Sequence, residues 1–451
     1  MSGTVPEPRP ASEAVALPEA SHPALRELVA AFVARQARWG HDGESGGDGP
    51  EVAVGSVTLR STDLVRPGRP GLVSVVAEVS GMVVHAVLGL RSPGDEARFL
   101  DDADESPLGI LEDGEGLAVV FDATADAELA RLLLDAVGGR HDDLERVRRV
   151  TVTVDTMSLT FDDRQVLTVL QQLPPGGGPH PGLELFLGLD RVGFNHLLAP
   201  LALWRRDGSD LGIVQEYEAG STGGWALALT SLRDLYASGG APEAAGGDFA
   251  AEARRLGTMT ARMHLGLDQA FGRKMGDIAG WVDAVQRAVQ AVEPGLLDDE
   301  GVTALLDDLR ASSVRCAAIR THGDFHLGRV SRTDLGWFVL DFSPGGTPVL
   351  TAGVVPNDGP VFRSPLADVA DMLWSFHHVA DVAATERDPS GMLGLRELAQ
   401  AWEVRNRRAF LAGYLATPGI GGLVPPVRDV VRKLAAAFEL ERSASKLAPR
   451  I

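Results

Sequence analysis

The sequence predicts an α+β protein in which two β-rich segments precede a long helical segment. Three valine-rich runs, EVAVGSVTLRS, GLVSVVAEVS and MVVHAVLGL, alternate partly between apolar and polar residues and predict an antiparallel meander. The run VRRVTVTVDTMSLTF opens a second β-rich stretch, and after Gly220 the apolar residues recur with helical spacing. A chain of 451 residues is long enough for two or three domains.

The first β-rich segment, residues 23–147, is predicted to be an α+β module. Its opening helix, HPALRELVAAFVARQARW, has its apolar residues on one side. After the meander, LAVVFDA predicts a strand, and DAELARLLLDAV predicts an amphipathic helix that ends at Gly138-Gly139. Residues 1–22 lack the basic and apolar regions of a signal peptide, so we expect a disordered leader.

The second segment, residues 148–217, is predicted to be a small lobe of five strands with one helix, LELFLGLDRV. The third segment, residues 218–451, is predicted to be mainly helical. One of its helices is predicted to cover VTALLDDLRASSVRCAA, with Cys316 near the C-terminal end. Two short strands are expected, one around 329–331 and one at GWFVLDF, so that Asp341 lies at a strand end.

Charge and cysteine content exclude several classes of protein. The formal net charge of −20 argues against nucleic acid or an anionic membrane as a partner. The single cysteine excludes an intrachain disulfide and fits a reducing cytosol, and we expect it to be a small buried residue. No apolar run approaches the roughly 18 residues that a membrane span needs. We therefore expect a soluble, cytoplasmic protein.

A loop and a strand end carry the groups that phosphoryl transfer from ATP requires, namely an acceptor for the hydroxyl proton and a carboxylate for Mg²⁺. The run THGDFHLGR places Asp324 on a loop between a predicted helix and a strand, and VLDF places Asp341 seventeen residues later. Kinases have the same order of parts: a small β lobe, a hinge (here QEY), a helical lobe, and then two aspartates like these. The sequence thus predicts a bilobed protein-kinase-like fold, with a β-rich N-lobe and a helical C-lobe, preceded by the α+β module at 23–147.

Several runs resemble the maltokinases and actinobacterial glucosamine kinases, which are aminoglycoside-phosphotransferase-like kinases. The resemblance covers roughly residues 25–445 and is carried by THGDFHLGRV, GWFVLDF, SPLADVADMLWSFHH, RRLGTMTARMH, WEVRNRRAFLAGY, VQEY with GGW, and AAAFELER. It implies that the α+β module is an N-terminal cap domain ahead of the kinase lobes. It also implies a kinase that uses ATP and Mg²⁺ to phosphorylate a hydroxyl of a small sugar. Glucosamine is the first expected substrate and maltose the second.

The resemblance also implies roles for individual residues. Asp324 matches the catalytic base, which also contacts the substrate, and Asp341 matches the magnesium-binding aspartate. Glu439 matches a glutamate that contacts sugar hydroxyls in glucosamine kinases, although it could equally belong to a solvated helix face. The hinge whose backbone groups bind adenine is matched by three consecutive residues, Gln215, Glu216 and Tyr217.

Four other polar residues are predicted to be structural. His322 and His326 are expected to order their loop by hydrogen bonds rather than to bind a metal. His264 lies on an apolar helix and is expected to be a core histidine with hydrogen-bond partners. Asp368 is expected to anchor a helix through an ion pair. The run SPGGTPVLTAGVVPNDGPVFR does not resemble a protein-kinase activation segment, which favours a small-molecule substrate over a protein.

Four positions depart from the family pattern. Thr168 stands where the family has a lysine of the N-lobe, and Gly223 where it has an aspartate after the hinge. Arg329 replaces the second magnesium ligand, and Ser445 with Lys446 replace a C-terminal tyrosine–glutamate pair. No lysine precedes Lys274, so no other register supplies the missing one.

Two hypotheses follow from these departures. In the first, the protein is an active kinase in which Asp341 holds at most one metal ion and Arg329 binds β- or γ-phosphate oxygens. In the second, it is a pseudokinase that serves as a nucleotide- or sugar-binding or partner-regulating module. We favour the first because both aspartates are retained.

Overall fold

The computed structural model describes residues 15–16, 22–39, 53–101, 103–139, 146–152, 155–244, 247–342, 361–390 and 394–447. The predicted leader, residues 1–22, lies outside the described residues except for 15–16 and 22. Of the proline- and glycine-rich run at 343–363, only the last three residues are described. The chain divides into two compact units, one made of Met1–His180 with Leu198–Ala219 and the other of Pro181–Leu197 with Gly220–Ile451.

The first unit contains two antiparallel sheets and, among its described residues, two α-helices. Its helices are α1 (His22–Trp39) and α2 (Ala127–Ala136). Its strands are β1 (Val15–Ala16), β2 (Val57–Arg66), β3 (Gly71–Val79), β4 (Met82–Arg91), β5 (Gly109–Asp113), β6 (Gly116–Asp122), β7 (Val147–Val152), β8 (Thr156–Phe161), β9 (Gln165–Leu170), β10 (Gln172–Leu173), β11 (Pro200–Arg206) and β12 (Ser209–Glu216). One sheet has the order β1-β2-β3-β4-β6-β5, with β10 also paired to β4, and the other has the order β11-β12-β9-β8-β7.

Helix α1 covers one face of the first sheet. Leu25, Leu28 and Phe32 are spaced at helical intervals, and all three are buried. They belong to one apolar cluster with Val73 and Val75, which are two residues apart on β3 and so point to the same face of the sheet. The predicted meander of β2, β3 and β4 and the predicted opening helix are therefore confirmed.

Helix α2 shares an apolar core with both sheets. Leu129 and Leu133 cluster with Leu72 of β3 and with Leu159 and Phe161 of β8. The helix begins at the N-cap Asp126, whose carboxylate accepts hydrogen bonds from two backbone amides of the first turn. The predicted domain boundary at 147/148 falls at the start of β7, and the division of this unit into a cap and an N-lobe stays a prediction.

The second unit is mostly helical. Its helices are α3 (Pro181–Arg191), α4 (Gly224–Ser238), α5 (Ala250–Phe271), α6 (Ile278–Val292), α7 (Glu300–Arg310), α8 (Leu366–Arg387), α9 (Leu395–Ala416) and α10 (Arg428–Leu447). Its strands are β13 (Thr222–Gly223), β14 (Lys274–Met275), β15 (Ala317–Arg320), β16 (Val330–Thr333), β17 (Gly336–Val339) and β18 (Phe362–Arg363). They pair in two three-stranded sheets of order β13-β16-β17 and β14-β15-β18.

Two glycines allow helices α5 and α9 to pack with their backbones in contact. A Cβ atom added to Gly257 would lie 2.0 Å from the carbonyl oxygen of Phe410, and one added to Gly413 would lie 2.0 Å from the carbonyl oxygen of Arg254. Each helix thus needs a residue without a side chain where it meets the other. The backbones of α5 and α9 are therefore in direct contact at these two positions.

The sequence prediction was wrong about the residues before the THGDFH loop. Helix α7 ends at Arg310, and the run Ala317–Arg320 forms the strand β15. Cys316 is buried as expected, but it lies before a strand and not at the end of a helix. All four residues of β15 are buried, so this strand has no alternation of apolar and polar residues by which it could be recognised. The loop that carries Asp324 therefore connects two strands. In the described part of the chain, no helix has the length and apolar content of a membrane span.

Candidate active site

The loop between β15 and β16 carries Asp324 and is anchored by a buried carboxylate of helix α8. Asp368 accepts hydrogen bonds from the backbone amides of His322 (2.8 Å) and Gly323 (3.0 Å). Asp368 is fully buried, so its charge is stabilised only by groups of the protein. The expectation that Asp368 anchors structure is consistent with these contacts. Asp368 anchors its own helix and also the backbone next to Asp324.

A chain of buried hydrogen bonds orients Asp368 from the other side. Nε2 of His264 lies 3.0 Å from a carboxylate oxygen of Asp368, and Nδ1 of His264 lies 2.9 Å from the hydroxyl of Tyr414. The tyrosine hydroxyl can donate to Nδ1 while Nε2–H donates to the carboxylate. Burial opposes ionisation of Asp368, but the hydrogen bonds that it accepts from His264 and from the backbone amide of Gly323 hold its pKa below the usual range. His264 is thus a core histidine with partners on both ring nitrogens.

Arg329 links the two aspartates that the sequence singled out. Its Nη1 lies 2.5 Å from Oδ2 of Asp341, and its Nη2 lies 3.2 Å from Oδ2 of Asp324. Asp341 follows strand β17 by two residues, and β16 and β17 are paired directly after the loop. The structure therefore brings Asp324 and Asp341 together around the guanidinium of Arg329.

A second arginine, which the sequence did not reveal, also binds Asp324. Nη2 of Arg442, on helix α10, lies 2.6 Å from Oδ1 of Asp324. The Arg442 side chain is only 1% exposed, and its guanidinium packs over the ring of Trp374, 5.4 Å from the centroid. The available signal was the run AAAFELER, in which Arg442 follows Glu439 by three residues and so lies on the same side of the helix.

The pKa of Asp324 is held well below its usual range by this surrounding charge. Burial alone would raise it, but a hydrogen bond from His326 and the positive charges of Arg442 and Arg329 lower it by more. His326 also accepts a hydrogen bond from the backbone amide of Gly328 at Nδ1, which agrees with its expected role in ordering the loop. Asp324 is therefore ionised over the whole range of pH in which proteins are usually studied.

One carboxylate oxygen in this site fits a hard cation. Oδ1 of Asp341 is buried and, within the described residues, receives no hydrogen bond. Mg²⁺ is bound in kinases through one or two carboxylates together with phosphate oxygens and water, so a single free oxygen suits one ion. Among the described ranges, no group of three or more His, Cys, Asp and Glu side chains could hold a metal ion by itself. The guanidinium of Arg329, which carries a positive charge, contacts the other oxygen of the same carboxylate, Oδ2.

Glu439 is bound by another arginine. Its carboxylate lies 2.8 Å from Nη1 of Arg407 on helix α9. Burial raises the pKa of Glu439, and the hydrogen bond from Arg407 only partly offsets this effect. In the structure as described, Glu439 therefore has a cationic partner and a packed environment, and it does not form a solvated helix face.

The predicted hinge residues, whose backbone is expected to bind adenine, lie in the first unit. Gln215 and Glu216 are the last residues of β12, and Tyr217 follows them. The backbone amide of Tyr217 donates to the carbonyl oxygen of Arg164, so this hinge is tied to the end of the neighbouring strand pair. Thr168, which the resemblance aligns with a lysine, lies on β9, and its hydroxyl lies 2.9 Å from that of Ser158.

Comparison with known proteins relates the chain to one group of enzymes. No family model matches the sequence. The chain is 30% identical over 299 residues to a glucosamine kinase of Streptacidiphilus jiangxiensis, a match that covers 60% of this chain and 62% of that one. It is 29% identical over 274 residues to a glucosamine kinase of Mycolicibacterium smegmatis, with 56% and 64% covered. The matched region thus spans less than two thirds of either relative.

Solved structures agree with the sequence comparison. A glucosamine kinase in complex with glucosamine, ADP and inorganic phosphate is similar with a TM-score of 0.54 and 23% identity, over 94% of this chain and 93% of that one. A second crystal form of a glucosamine kinase gives a TM-score of 0.57 at 22% identity, over 94% of each chain. At this identity the likeness establishes the fold, so the predicted α+β, kinase-like fold class is confirmed. By sequence and by fold, the chain is a relative of the glucosamine kinases.

Proposed function

We propose that the protein transfers the γ-phosphoryl group of ATP to a hydroxyl of a small sugar, with glucosamine as the first candidate substrate. The observation that carries the proposal is the joint contact of Asp324 and Asp341 with Arg329, next to a loop fixed by Asp368. A carboxylate for the hydroxyl and a carboxylate for the metal lie side by side, as phosphoryl transfer requires. The similarity to glucosamine kinases supports the same reaction class.

In the proposed reaction, Asp324 accepts a hydrogen bond from the sugar hydroxyl and aligns its oxygen with the γ-phosphorus. The bond from oxygen to phosphorus forms, the bond between the γ-phosphorus and the bridging oxygen breaks, ADP leaves, and the hydroxyl proton passes to Asp324. Because its pKa is well below the usual range, Asp324 is a weak base. It therefore acts mainly by orientation and takes the proton late, which suits the loose transition state of phosphoryl transfer.

The phosphates need positive charge, and the residues present can supply it. Asp341 would hold one Mg²⁺, which when bound neutralises charge on the phosphate oxygens. Arg329 would exchange a carboxylate for a phosphate oxygen, a contact that its planar fork favours. This contact would compensate for the missing N-lobe lysine at Thr168. The backbone of Gln215–Tyr217 would bind the adenine.

The alternative is a pseudokinase that binds nucleotide, sugar or a protein partner without turnover. The observation in its favour is that Arg329 engages both aspartates, so one of the two negative charges of the pair is already compensated within the protein. Maltose remains the second candidate substrate for the active enzyme.

A phosphotransfer assay with labelled ATP tests the proposal on the full chain. Glucosamine, maltose, glucose and aminoglycosides are offered to the wild type, to Asp324→Asn and to Asp334→Asn. Asp334 is an exposed residue of the turn between β16 and β17 and serves as the matched control. We expect the wild type and Asp334→Asn to phosphorylate glucosamine and Asp324→Asn to be inactive.

ATP binding with and without Mg²⁺ separates the two hypotheses. Binding at millimolar ATP without transfer to any sugar would support the pseudokinase. If the wild type binds neither ATP nor its magnesium complex, the enzyme hypothesis is wrong.

A further inference from the structure

A carboxylate on helix α8 lies beside the proposed catalytic residue and has no role in the reaction as described so far. Oδ1 of Asp371 lies 3.7 Å from Nε of Arg442, the arginine whose Nη2 contacts Asp324. That separation is too long for a hydrogen bond. Within the part of the chain that the structure describes, Asp371 has no closer cationic partner. Its side chain is 15% exposed, so a small ligand could still reach it.

The charge of Asp371 is poorly compensated. Burial raises the pKa of Asp371 to about 7, and the charge of Arg442 offsets only part of the effect. The neighbouring carboxylates of Asp368 and Asp324 raise this pKa further. A cationic group of a ligand would stabilise the ionised form of Asp371. An anionic group of a ligand would instead destabilise the ionised form of Asp371.

Asp371 and Asp324 are arranged around one guanidinium group. Arg442 contacts Asp324 through Nη2 and faces Asp371 through Nε, so both carboxylates border the same guanidinium. Trp374, one turn beyond Asp371 on α8, packs against the same guanidinium and limits its movement. The side chains of Asp324 and Asp371 are 17% and 15% exposed, so different exocyclic substituents of one sugar could contact each of them.

We propose that Asp371 is the specificity-determining residue that binds the ammonium group of an amino sugar while Asp324 binds the hydroxyl to be phosphorylated. The proposal rests on the proposed function and narrows its substrate class. An ammonium–carboxylate contact is a charge-assisted hydrogen bond, among the stronger polar contacts in proteins. Glu439, the carboxylate that the family resemblance suggests for sugar binding, is less suited to a cation because Arg407 already binds it at 2.8 Å.

Asp371→Asn tests the assignment because it removes the charge and keeps the shape. The matched control is Asp381→Asn, on the same helix, where the side chain is 52% exposed and pairs with Arg396. The kcat/KM for glucosamine and for glucose is measured with the full-length wild type and both variants, and sugar affinity is measured by calorimetry. We expect the ratio of the two kcat/KM values to fall about tenfold to a hundredfold in Asp371→Asn, since a hydrogen bond to a charged group contributes energies of that order.

In Asp371→Asn we expect kcat/KM to fall for glucosamine and to stay nearly unchanged for glucose. Asp381→Asn should have the kcat/KM values of the wild type. An unchanged ratio in Asp371→Asn, or a wild type without preference for glucosamine over glucose, would overturn the assignment while leaving the sugar kinase proposal intact. If the wild type phosphorylates no sugar, the proposed function is wrong, but the glucosamine affinity measured by calorimetry still tests the role of Asp371. Weaker glucosamine binding in Asp371→Asn would then support it, and equal binding would refute it. Should Asp371→Asn not fold, Asp371→Ser serves as the second uncharged variant.

Discussion

Arg442 and Asp324 form an ion pair between the last helix of the chain and the loop that carries the proposed catalytic residue. The contact of 2.6 Å joins residues more than a hundred positions apart, and the arginine is almost completely buried. A buried guanidinium needs a carboxylate partner, and a carboxylate so surrounded stays ionised and fixed in direction. The pair thus couples the stability of α10 to the geometry of the loop.

Replacing Arg442 by Met should destabilise the protein and slow the reaction. Met keeps much of the apolar contact with Trp374 but leaves Asp324 with one cation fewer, so we expect a loss of about 3 kcal/mol in the free energy of unfolding. We also expect kcat to fall about a hundredfold, because Asp324 is then less well oriented. Urea unfolding at pH 7 and sugar phosphorylation are the measurements. Arg432→Met, at a side chain of the same helix that is 76% exposed, is the control and should match the wild type; equal stability of the two variants would contradict the prediction.

Replacing Arg329 by Ala should abolish transfer if this arginine binds the phosphates. Arginines that stabilise transferring phosphoryl groups contribute about 10³-fold or more to the rate, so we expect a loss of at least that order. Thr168→Lys should not produce a faster enzyme, because the phosphate charge is already supplied by Arg329. Initial rates with saturating sugar are measured for each variant, with the exposed Arg315→Ala as the control. Full activity of Arg329→Ala would show that the guanidinium plays no part in transfer.

The raised pKa of Asp371 predicts a pH-dependent stability difference between the wild type and Asp371→Asn. The carboxyl has a pKa of about 7 in the folded protein, above the value of roughly 3.9 expected in the unfolded chain. Between these values the folded state binds more protons than the unfolded state, so the contribution of Asp371 to the free energy of unfolding falls as pH rises. Asp371→Asn should therefore raise Tm more at pH 8 than at pH 5. A difference in Tm that is the same at both values, as we expect for Asp381→Asn, would count against the prediction.

The contact between α5 and α9 predicts a steep cost for any side chain at Gly257. A Cβ atom there would meet the Phe410 carbonyl oxygen at 2.0 Å, and backbone on both helices would have to move. We expect Gly257→Ala to lower the free energy of unfolding by about 3 kcal/mol, as for other overpacked sites. Gly295→Ala is the control, since no atom lies within 4 Å of a Cβ atom at that position. The midpoints of chemical denaturation are measured for both variants. Equal midpoints would show that the contact between α5 and α9 accepts a side chain at Gly257, contrary to the prediction.

The fold could be predicted where the sequence is periodic or where it carries a known order of motifs. The meander, the strand that ends at Glu216 and the long helices have clear spacing, and Asp341 follows a strand as predicted. Strand β15 was missed because it is short and wholly buried, so it carries no alternation.

The site could be predicted only in part. Asp324, Arg329 and Asp341 are close in sequence, and the strand pair β16–β17 suffices to bring them together. Asp371 and Arg442 come from α8 and α10, and which face of each helix meets the loop depends on packing that one sequence does not reveal. The helical spacing that links Asp368 to Asp371 was visible, but it gives no information on the partner.

Helix α2 has a consequence for how the first unit could have evolved. Its buried leucines fill a core that also contains Leu159 and Phe161 of the second sheet. A fragment that starts at residue 148 would leave those two side chains facing water, and an uncovered apolar patch of this kind favours aggregation. Recombination that exchanged the segment before residue 148 would therefore have to supply an equivalent helix, so the two β-rich segments are constrained to be inherited together.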